Sequence, residues 1–431
     1  MNEEVKISNN KPVKLWNKNF FLLWQGQLVS ALGDILYMIA LDFWILDITG
    51  STAIMGLLSA VTMLPRMVVG PFAGVFVDKW KRRNVIVITD LIRGIVVTFV
   101  GVAGIFGFIQ VWMVFLAGAI SGLCSAFFGP AVSAIKPELV PESKLVKANS
   151  LTSMADSGMQ IAGNAIGGII YVAIGAPYMF FLNGISYLLS AFSEIFIKEP
   201  VTERELKTNT FKEDFMEGLK FVWNFKTLRN ILLIASILNL IGASASILIL
   251  PYFKATEFLG PEKYGLFMAV MPIAMLCGSS LLAVINIKKK YKFVVYAASE
   301  VISQLAMLTI FLVSNYYIMV VLAFVFQFFN VIFNTMFFTV MSLVVPGDKR
   351  GKISALMNTL SMGMMPLGSI AGGVLGQIFS IRTAIIAMFT VNLILGIVIM
   401  FIKGSKTVIT YDSEDGSIDE LIEKSNNGIA M

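Results

Sequence analysis

The chain has no histidine among its 431 residues and only two cysteines. Without imidazole, any proton chemistry falls to carboxyl groups. Cys124 and Cys277 lie in apolar stretches, where cysteine ordinarily acts as a small buried hydrophobe, so no disulfide framework is indicated. The sequence also lacks a Gly-x-x-x-x-Gly-Lys-Ser/Thr phosphate-binding loop. No ATP motor, metal site or cofactor is therefore expected, and energy must come from an ion gradient or from the gradient of a substrate.

Charged residues are scarce as well, at 14% of the chain, whereas hydrophobic residues make up 57%. A soluble domain normally has about 25% charged residues. Residues 94–135 and 301–347 contain no charged side chain, and each run is about twice the ~20 residues that one helix needs to cross a bilayer. Each run must fold as a helical hairpin. The sequence therefore predicts an all-α integral membrane protein.

The same criteria predict twelve transmembrane helices in two groups of six. They are placed near residues 20–46, 52–77, 84–107, 111–135, 149–174, 177–197, 229–252, 264–286, 293–313, 316–344, 353–379 and 382–403. The segment before Trp16 is polar and lacks the features of a signal peptide, so we expect the first helix to remain in the mature chain.

Lysine and arginine predict the orientation, because positive residues are retained on the cytoplasmic side. With both termini in the cytoplasm, 28 of the 33 Lys and Arg residues fall on that side. Lys254, Lys263 and Arg382 fall outside, and Arg66 and Arg93 lie within helices. The formal net charge of +6 thus reflects the topology and does not indicate nucleic-acid binding.

The loop between the second and third helices concentrates charge between two apolar segments. It reads Gly74-Val-Phe-Val-Asp78-Lys79-Trp-Lys81-Arg82-Arg83. This Gly-x-x-x-Asp-Lys-x-x-Arg-Arg pattern resembles the signature loop of the major facilitator superfamily of secondary transporters, although Lys81 stands where many members have glycine. The resemblance implies a substrate site between two six-helix halves.

An internal repeat appears when the sequence is shifted against itself by 205 positions. Ten residues in the first half then meet identical residues in the second: Val140, Pro141, Lys144, Lys147, Leu151, Gly158, Met159, Gly163, Gly167 and Gly168. The halves have the same orientation, as in major facilitator transporters. The predicted division is a cytoplasmic N-terminal segment (1–19), an N-terminal six-helix bundle (20–197), a cytoplasmic linker (198–228), a C-terminal six-helix bundle (229–403) and an acidic cytoplasmic tail (404–431).

The linker and the tail are the longest polar segments. Thr210 and Glu213 form a capping box, and apolar residues follow at helical spacing. This pattern predicts an amphipathic helix along the cytoplasmic interface, and the alternative is a simple tether between the halves. The tail is acidic and poor in apolar residues, and we expect it to be disordered.

Carboxylates within the helices are the candidates for proton coupling, because a charge in the bilayer is costly and usually functional. Asp34 in the first helix and Arg66 in the second both reach mid-membrane depth, where they can pair. Asp34 is the predicted proton carrier, and a fixed structural ion pair is the alternative. Asp156 and Glu300 are second candidates, whereas Asp42 and Asp47 near the outer end are predicted to be solvated.

A second set of residues is predicted to gate the cytoplasmic side. Asp78 is expected to sit against the N-terminal end of the eleventh helix, near Gly351, when that side is closed. The alternative is that these residues only anchor helix ends. The predicted gating residues are Gly74, Asp78, Lys79, Arg82, Arg83, Asp90 and Arg93.

Two further groups concern packing and substrate binding. Small residues in the fifth helix permit close helix approach; they are Gly158, Gly163, Asn164, Gly167 and Gly168, and they resemble the antiporter motif of major facilitator exporters with Asn164 in place of its proline. The predicted cavity needs apolar walls with a few polar groups. Its candidates are Gln27, Asn183, Asn239, Asn330 and Asn334, beside Phe128, Phe326, Phe329 and Phe333.

Short matches along nearly the whole chain resemble the macrolide-efflux and siderophore-exporter branch of the superfamily. They include Ala31-Leu-Gly-Asp34, Pro137-Glu-Leu-Val-Pro141-Glu, Ala148-Asn149 and Phe211-x-x-Asp-Phe-x-Glu217-Gly218. The resemblance implies export of an amphipathic small molecule from the cytoplasm in exchange for protons. It departs from many proton-coupled exporters in the fourth helix, because residues 121–133 contain no arginine.

Other functions fit the same fold, since fold alone does not select a substrate. A lipid or lysolipid flippase and a metabolite facilitator are the alternatives within transport. A membrane enzyme or sensor is disfavoured, because the sequence offers no recognisable nucleophile–base pair. The expected partners are the small-molecule substrate, protons and membrane lipid, and the chain is predicted to be monomeric.

Overall fold

The computed structural model describes residues 15–198, 211–346, 350–412 and 415–428, and the regular secondary structure within them is helical. The N-terminal half contains α1 (Lys18–Thr49), α2 (Thr52–Lys79), α3 (Arg82–Ile105), α4 (Val111–Leu139) and α5 (Leu145–Glu194). The C-terminal half contains α6 (Phe211–Asn224), α7 (Lys226–Ser246), α8 (Ile249–Ala255), α9 (Pro261–Val284), α10 (Lys289–Ile310), α11 (Tyr316–Val344), α12 (Arg350–Ile378), α13 (Ile381–Phe401), α14 (Ser405–Ile409) and α15 (Ile418–Asn427).

Ten segments of the described chain are long and apolar enough to cross a membrane. One of them contains α5, whose 50 residues are interrupted at Gly175, where φ is 75°. Glycine adopts this left-handed conformation without the steric cost of a side chain. The two arms of α5, residues 145–174 and 176–194, together with the 29-residue α12, are consistent with the predicted twelve crossings.

The connections define two ends of the helical bundle. We call the end that carries Lys18 and the α2–α3 connection at Trp80 the proximal end. The opposite end, where Gly50 joins α1 to α2, is the distal end. Helical structure suits this apolar chain, because in a bilayer each backbone polar group must find its partner within the protein.

The two halves touch at the distal end through glycines. A Cβ added at Gly168 on α5 would lie 1.9 Å from the carbonyl oxygen of Pro261 at the start of α9. At a second contact α2 meets α12, where a Cβ added at Gly373 would lie 2.4 Å from the carbonyl oxygen of Thr52, and the Thr52 hydroxyl donates to the carbonyl of Gly373 at 2.7 Å. Because neither approach leaves room for a side chain, the glycines set the distance between the halves.

The predicted packing residues of the fifth helix divide into two groups. A Cβ at Gly163 or Gly167 would lie within 3 Å of side chains on α1, and Gly168 and Asn164 face α9. Gly158 has nothing within 4 Å of the corresponding position. Close packing therefore involves four of the five predicted residues.

This difference gives a matched pair of variants. We expect Gly168→Ala to destabilise the fold by about 1–3 kcal/mol, because the new methyl overlaps a backbone oxygen that cannot move aside. Gly158→Ala adds the same methyl where there is space. Thermal melting in detergent checks the prediction: the melting temperature should fall for Gly168→Ala alone, and equal melting of the two variants would contradict it.

Residues 404–412 and 415–428 of the tail are folded, so the prediction that the tail is disordered is wrong for this part of it. Val408 and Leu421 are fully buried beside Phe225 and Leu228, at the junction of α6 and α7. Apolar residues spaced along α14 and α15 thus find a partner surface that composition alone does not reveal. The predicted amphipathic linker helix is present as α6, while its capping residue Thr210 lies outside the described residues.

Ion pairs hold the tail to the start of α10. Lys292 pairs with Asp412 at 2.9 Å, and Lys289 donates to Asp415. This hydrogen bond holds the pKa of the Asp415 carboxyl below its ordinary value. A depressed pKa means that the contact is fully present at neutral pH and is lost only as acid protonates the carboxyl.

Candidate functional site

Close packing of α3 against the second arm of α5 creates the interior site of the N-terminal half. A Cβ at Gly184 would lie 2.2 Å from the Thr98 hydroxyl, and one at Gly94 would lie 2.6 Å from the Leu188 side chain. The two helices therefore run nearly in backbone contact. This brings Arg93 on α3 beside Tyr187 on α5.

Arg93 is a buried cation held between two rings. Its exposed fraction is 4%, and its guanidinium carbon lies 4.4 Å from the centre of the Phe128 ring and 4.5 Å from that of Tyr187. It also forms an ion pair with Asp90, one helical turn earlier. Cation–π contacts and an ion pair offset the loss of hydration that burial causes.

Three carboxyl groups surround this one cation, and we call the four residues the acid cluster: Asp34, Asp90, Arg93 and Glu194. Asp34 on α1 accepts a hydrogen bond from the Tyr187 hydroxyl and lies within electrostatic range of Arg93. Glu194, in the last turn of α5, lies within electrostatic range of Asp90. The cluster thus joins α1, α3 and α5 through charge.

The acid cluster holds more negative than positive groups away from water. Asp90 and Glu194 are fully buried, and both oxygens of Glu194 lack a hydrogen-bond partner among the described residues. An unpaired carboxylate in a low-dielectric interior is costly as an anion. Three carboxyls around a single guanidinium are therefore suited to bind and release protons.

The cluster extends from the middle of the bundle to its proximal end. Asp34 lies midway along α1 and is half-buried, whereas Asp90 and Glu194 are fully buried. Glu194 lies at the proximal end, where a Cβ at Gly26 of α1 would be 3.4 Å from its Oε1. The groups form a path from the centre of the protein towards one face.

The partner of Asp34 differs from the predicted one. Arg66 is exposed on α2, whereas Asp34 contacts Tyr187 and faces Arg93. Helical rise predicted the depth of Arg66 along α2 but could not predict which side of the helix it occupies. Glu194 was overlooked, although it is a carboxylate within a predicted span and meets the criterion that singled out Asp34.

The remaining predicted coupling and cavity residues of this half lie in different surroundings. Asp156 is exposed on α5, within electrostatic range of Lys136 on α4. Asn183 is buried on α5 against Gly33, whose added Cβ would lie 2.4 Å from its Oδ1. Gln27 is half-buried on α1, two turns before Asp34 and next to Gly26, which packs against Glu194. Asn183 and Gln27 therefore neighbour the acid cluster.

The charged loop forms a structure of its own at the proximal end. Arg82 lies 3.7 Å from Asp78, forms an ion pair with Glu138 and donates to the carbonyl of Ala134 at 2.9 Å. It thereby fastens the α2–α3 connection to the end of α4. Arg83 donates to the carbonyl of Ile197 at 3.4 Å, just beyond α5.

Asp90 and Arg93 pair as their spacing predicts, but they face the interior and belong to the acid cluster. Gly74 is half-buried, and Lys79 is exposed near the end of α2. The predicted latch between Asp78 and the region of Gly351 adjoins residues 347–349, which lie outside the described residues. The latch therefore stays a prediction.

An ion pair joins the two halves at the distal end. Lys254 on α8 pairs with Asp47 on α1, and the hydroxyl of Tyr171 on α5 donates to the same carboxylate. The prediction that Asp47 is simply solvated missed this contact, because its lysine comes from the opposite half. Asp42, one turn deeper, is half-buried within electrostatic range of Tyr264.

This distal ion pair favours the arrangement in which the distal ends touch. Both side chains are more than a third exposed, so the pair is worth at most about 1 kcal/mol. We expect Lys254→Met to raise the population with separated distal ends by up to about fivefold. Spin labels at Ile48 and Phe258 would report this as a second, longer distance.

A charge exchange provides the control for the distal ion pair. The double variant Asp47→Lys with Lys254→Asp restores the attraction and should recover the wild-type distance distribution. An unchanged distribution in Lys254→Met would show that the glycine contacts alone hold the distal ends together.

The C-terminal half contains a cavity of about 430 Å³ between its helices. Predicted cavity residues Asn239, Asn330 and Asn334 line it, together with Phe326 and Phe333. Its volume lies within the usual range for drug-sized ligands.

Glu300 also lines this cavity, and its side chain is 2% exposed. Its Oε1 accepts a hydrogen bond from Gln304 at 3.2 Å, whereas its Oε2 has no partner among the described residues. A Cβ at Gly396 would lie 2.4 Å from Oε1, so α13 packs directly on the carboxylate. The structure thus places Glu300 in a cavity of the C-terminal half, far along the chain from the acid cluster, whereas the resemblance implied a substrate site between the halves.

Sequence comparison shows which known proteins share this architecture. The family model of transmembrane secretion effectors, within the major facilitator class, matches residues 10–419. The MFS-type transporter YfiS of Bacillus subtilis (strain 168) is 25% identical over 97% of this chain and 99% of its own length. The multidrug efflux pump Tap of Mycolicibacterium fortuitum is 26% identical over 87% and 93%. Macrolide efflux protein A of Streptococcus pyogenes is 24% identical over 56% of this chain and 61% of its own length.

Solved structures agree on the fold. A bacterial homologue of the iron transporter ferroportin, in an inward-facing state, superposes with a TM-score of 0.70 at 15% identity, covering 90% of this chain and all of that one. The nucleoside transporter NupG (D323A mutant) gives a TM-score of 0.67 at 13% identity, covering 88% and 98%. The all-helical membrane fold is therefore the fold of known transporters.

Proposed function

The chain belongs to the transmembrane secretion effector family of major facilitator transporters, and from this premise we propose that it exports an amphipathic small molecule by proton antiport. As a multi-pass membrane transporter it handles a small-molecule substrate; the direction, the coupling ion and the mechanism are the proposal. The acid cluster carries it, because three carboxyls around Arg93 offer protonation sites in the interior of the N-terminal half.

The division of charge between the halves supports a coupled mechanism. The N-terminal half holds the acid cluster, while the C-terminal half holds the 430 Å³ cavity with apolar walls and amide groups. Proton and substrate sites on separate halves can influence each other only if both respond to the same rearrangement of the halves. Alternating access, in which the halves rock against each other, supplies such a rearrangement.

The distal contacts support an assignment of the present conformation. The lysine and arginine distribution places the distal end outside the cell. Contacts at Gly168, at Gly373 and between Asp47 and Lys254 close that end, so the chain is proposed to face the cytoplasm here. Asp34, half-buried at the centre, would then exchange protons with the cytoplasmic side through the remaining cluster.

The relatives support export over import. One is named as a macrolide efflux protein and another as a multidrug efflux pump. Substrates of that type are large and largely apolar, and the aromatic and aliphatic walls of the cavity suit such a compound. We therefore propose export of a macrolide-like drug or a related metabolite.

Transport into proteoliposomes tests this proposal. The purified full chain is reconstituted, an acidic interior is imposed, and accumulation of erythromycin and of ethidium is followed. Accumulation that requires the chain and ends when nigericin collapses the proton gradient would support proton antiport. Equal uptake with and without nigericin would replace it with facilitated diffusion or lipid-type flipping, and no uptake of any compound would argue against export.

A further inference from the structure

We propose that the cavity of the C-terminal half binds an amphipathic organic cation and that Glu300 supplies the counter-charge. This inference rests on the proposed function and names the class of substrate that the exporter takes. It assigns Glu300 to ligand binding, whereas the sequence suggested proton coupling.

Charge is the first argument. Glu300 is the only charged side chain among the described residues that line the cavity. It is almost fully buried, and its Oε2 lacks a partner within the described ranges. In the other half, Arg93 offsets part of the negative charge of the acid cluster. Glu300 has no such cation, so a positively charged ligand would complete the site.

A surplus of hydrogen-bond acceptors is the second argument. Besides Glu300 Oε2, the side-chain carbonyl oxygens of Gln304 and Asn392 are buried and find no donor in the described part of the chain. The amide NH₂ of Asn334 donates to the backbone and side-chain oxygens of Asn330, at 2.9 and 3.0 Å. The side-chain NH₂ of Asn239 donates to the carbonyl of Ala235 at 2.9 Å.

Of the buried polar groups of the lining that lack a partner in the described part of the chain, three are acceptor oxygens, whereas the Tyr296 hydroxyl alone can donate. Buried acceptors are normally paired, and each one left unpaired costs free energy. A ligand with N–H donors and a positive charge satisfies these oxygens together. A carboxylate or phosphate ligand would instead face Glu300 with no cation beside it, so the lining selects against anions.

The walls provide the third argument. Tyr296 and Phe333 stack with their ring centres 4.5 Å apart, and both line the cavity. Aromatic faces attract cations, most strongly where water is excluded. Phe326 and Met307 add apolar surface. The lining thus combines one anion, several acceptors and aromatic rings, which suits a protonated or quaternary amine on a bulky apolar body.

The packing shows that this site is built into the fold. Gly396 lets the α13 backbone approach Glu300 closely, and Gln304, one turn along α10, holds Oε1. The carboxylate is therefore fixed with its second oxygen unpaired. A fixed, unpaired acceptor is pre-organised for a ligand, because little side-chain entropy is lost on binding.

Two ions of nearly the same shape and opposite charge test the proposal. Binding of tetraphenylphosphonium and of tetraphenylborate is measured separately by equilibrium dialysis against the full chain in nanodiscs, with empty nanodiscs as the blank. We expect saturable binding of the phosphonium ion and none of the borate. Glu300→Gln keeps size and shape but removes the charge, and it should weaken phosphonium binding by about tenfold or more.

Glu257→Gln is the matched control, because Glu257 is exposed in the α8–α9 connection, remote from the cavity lining. The Glu257→Gln variant should bind the phosphonium ion with the same affinity as the wild type. If gel filtration shows that Glu300→Gln does not fold, the test rests on the wild type alone: it must bind the phosphonium ion and not the borate ion. Equal binding of both ions, or unchanged phosphonium binding in Glu300→Gln, would overturn the proposal.

The ion-binding experiment and the transport experiment can fail independently of each other. If erythromycin accumulates with the gradient while neither ion binds, the cation site is wrong and the export proposal stands. If the phosphonium ion binds through Glu300 but no compound is accumulated, the site stands and export fails. If Glu300→Gln binds the phosphonium ion normally but loses gradient dependence, Glu300 carries protons and this inference is overturned.

Discussion

Asp34→Asn should lower gradient-driven accumulation of substrate by roughly 100-fold, the lower range for loss of a proton-transferring group. Asparagine keeps an oxygen that can accept from Tyr187, so the hydrogen bond seen to Asp34 is retained. The asparagine side chain cannot bind and release a proton as a carboxyl group does. The variant separates the geometry of the acid cluster from its chemistry.

Substrate affinity should be nearly unchanged in the same variant. The cavity residues come from α7 and the helices that follow it, while Asp34 lies on α1. Binding in detergent is therefore expected to stay within about twofold of the wild type, since distant, independent sites act additively. Proton release on substrate addition, followed with a pH-sensitive dye, should disappear.

Asp419→Asn is the matched control for Asp34→Asn. Asp419 is an exposed carboxylate on α15, outside the membrane helices, so the same chemical change should leave transport intact. A wild-type accumulation ratio in Asp34→Asn, at normal expression, would remove Asp34 from the coupling mechanism and favour Glu194 or Asp90 as the proton carrier.

Sequence patterns predicted the helices well because the bilayer limits the choices. The length of the apolar runs indicated the spans, and small or polar residues between them indicated the connections. The orientation predicted from the positive charges stays a prediction. The resemblance to major facilitator transporters agrees with the family match over residues 10–419. Three of the five predicted cavity residues, Asn239, Asn330 and Asn334, line the observed cavity, and Glu300, which was predicted as a coupling residue, lines it as well. All four were singled out because polar side chains are costly in apolar helices.

Contacts between distant segments were beyond the same reasoning. Helical rise predicted a shared depth for Asp34 and Arg66 but could not predict their rotation about the helix axes, and Asp34 contacts Tyr187 instead. The Asp47–Lys254 pair joins residues 207 positions apart, and neither residue alone signals the other. The folded tail was missed for the same reason, because its apolar residues are few and become meaningful only against the α6–α7 junction.

The two buried acid sites differ in one respect that bears on mechanism. The acid cluster contains its own cation, so it can stay intact while a proton comes and goes. No cation accompanies Glu300 among the described residues of the cavity lining, so binding of a cationic ligand there changes the net charge of the C-terminal half. A protein that must exchange one positive species for another can use such a pair of sites, provided that the two halves rearrange together.

Arg93→Met should destabilise the chain by about 3 kcal/mol, because removing one partner of a buried ion pair leaves the other uncompensated. Arg93 is 4% exposed and is the only cation of the acid cluster, facing Asp34, Asp90 and Glu194. Methionine replaces the apolar stem but not the charge. SDS-driven unfolding in mixed micelles measures the loss, with Arg66→Met as the control, since Arg66 is exposed on α2.

The size of the defect should depend on pH with a defined sign. As the pH falls, the carboxyls of the acid cluster bind protons and no longer need a cation, so the difference between Arg93→Met and the wild type should shrink. Arg93→Lys should lie between the two, because lysine restores the charge but not the planar group between the Phe128 and Tyr187 rings. A defect that is the same at every pH would mean that Arg93 stabilises the fold through packing alone, and the acid cluster would then lose its role as a coupled charge system.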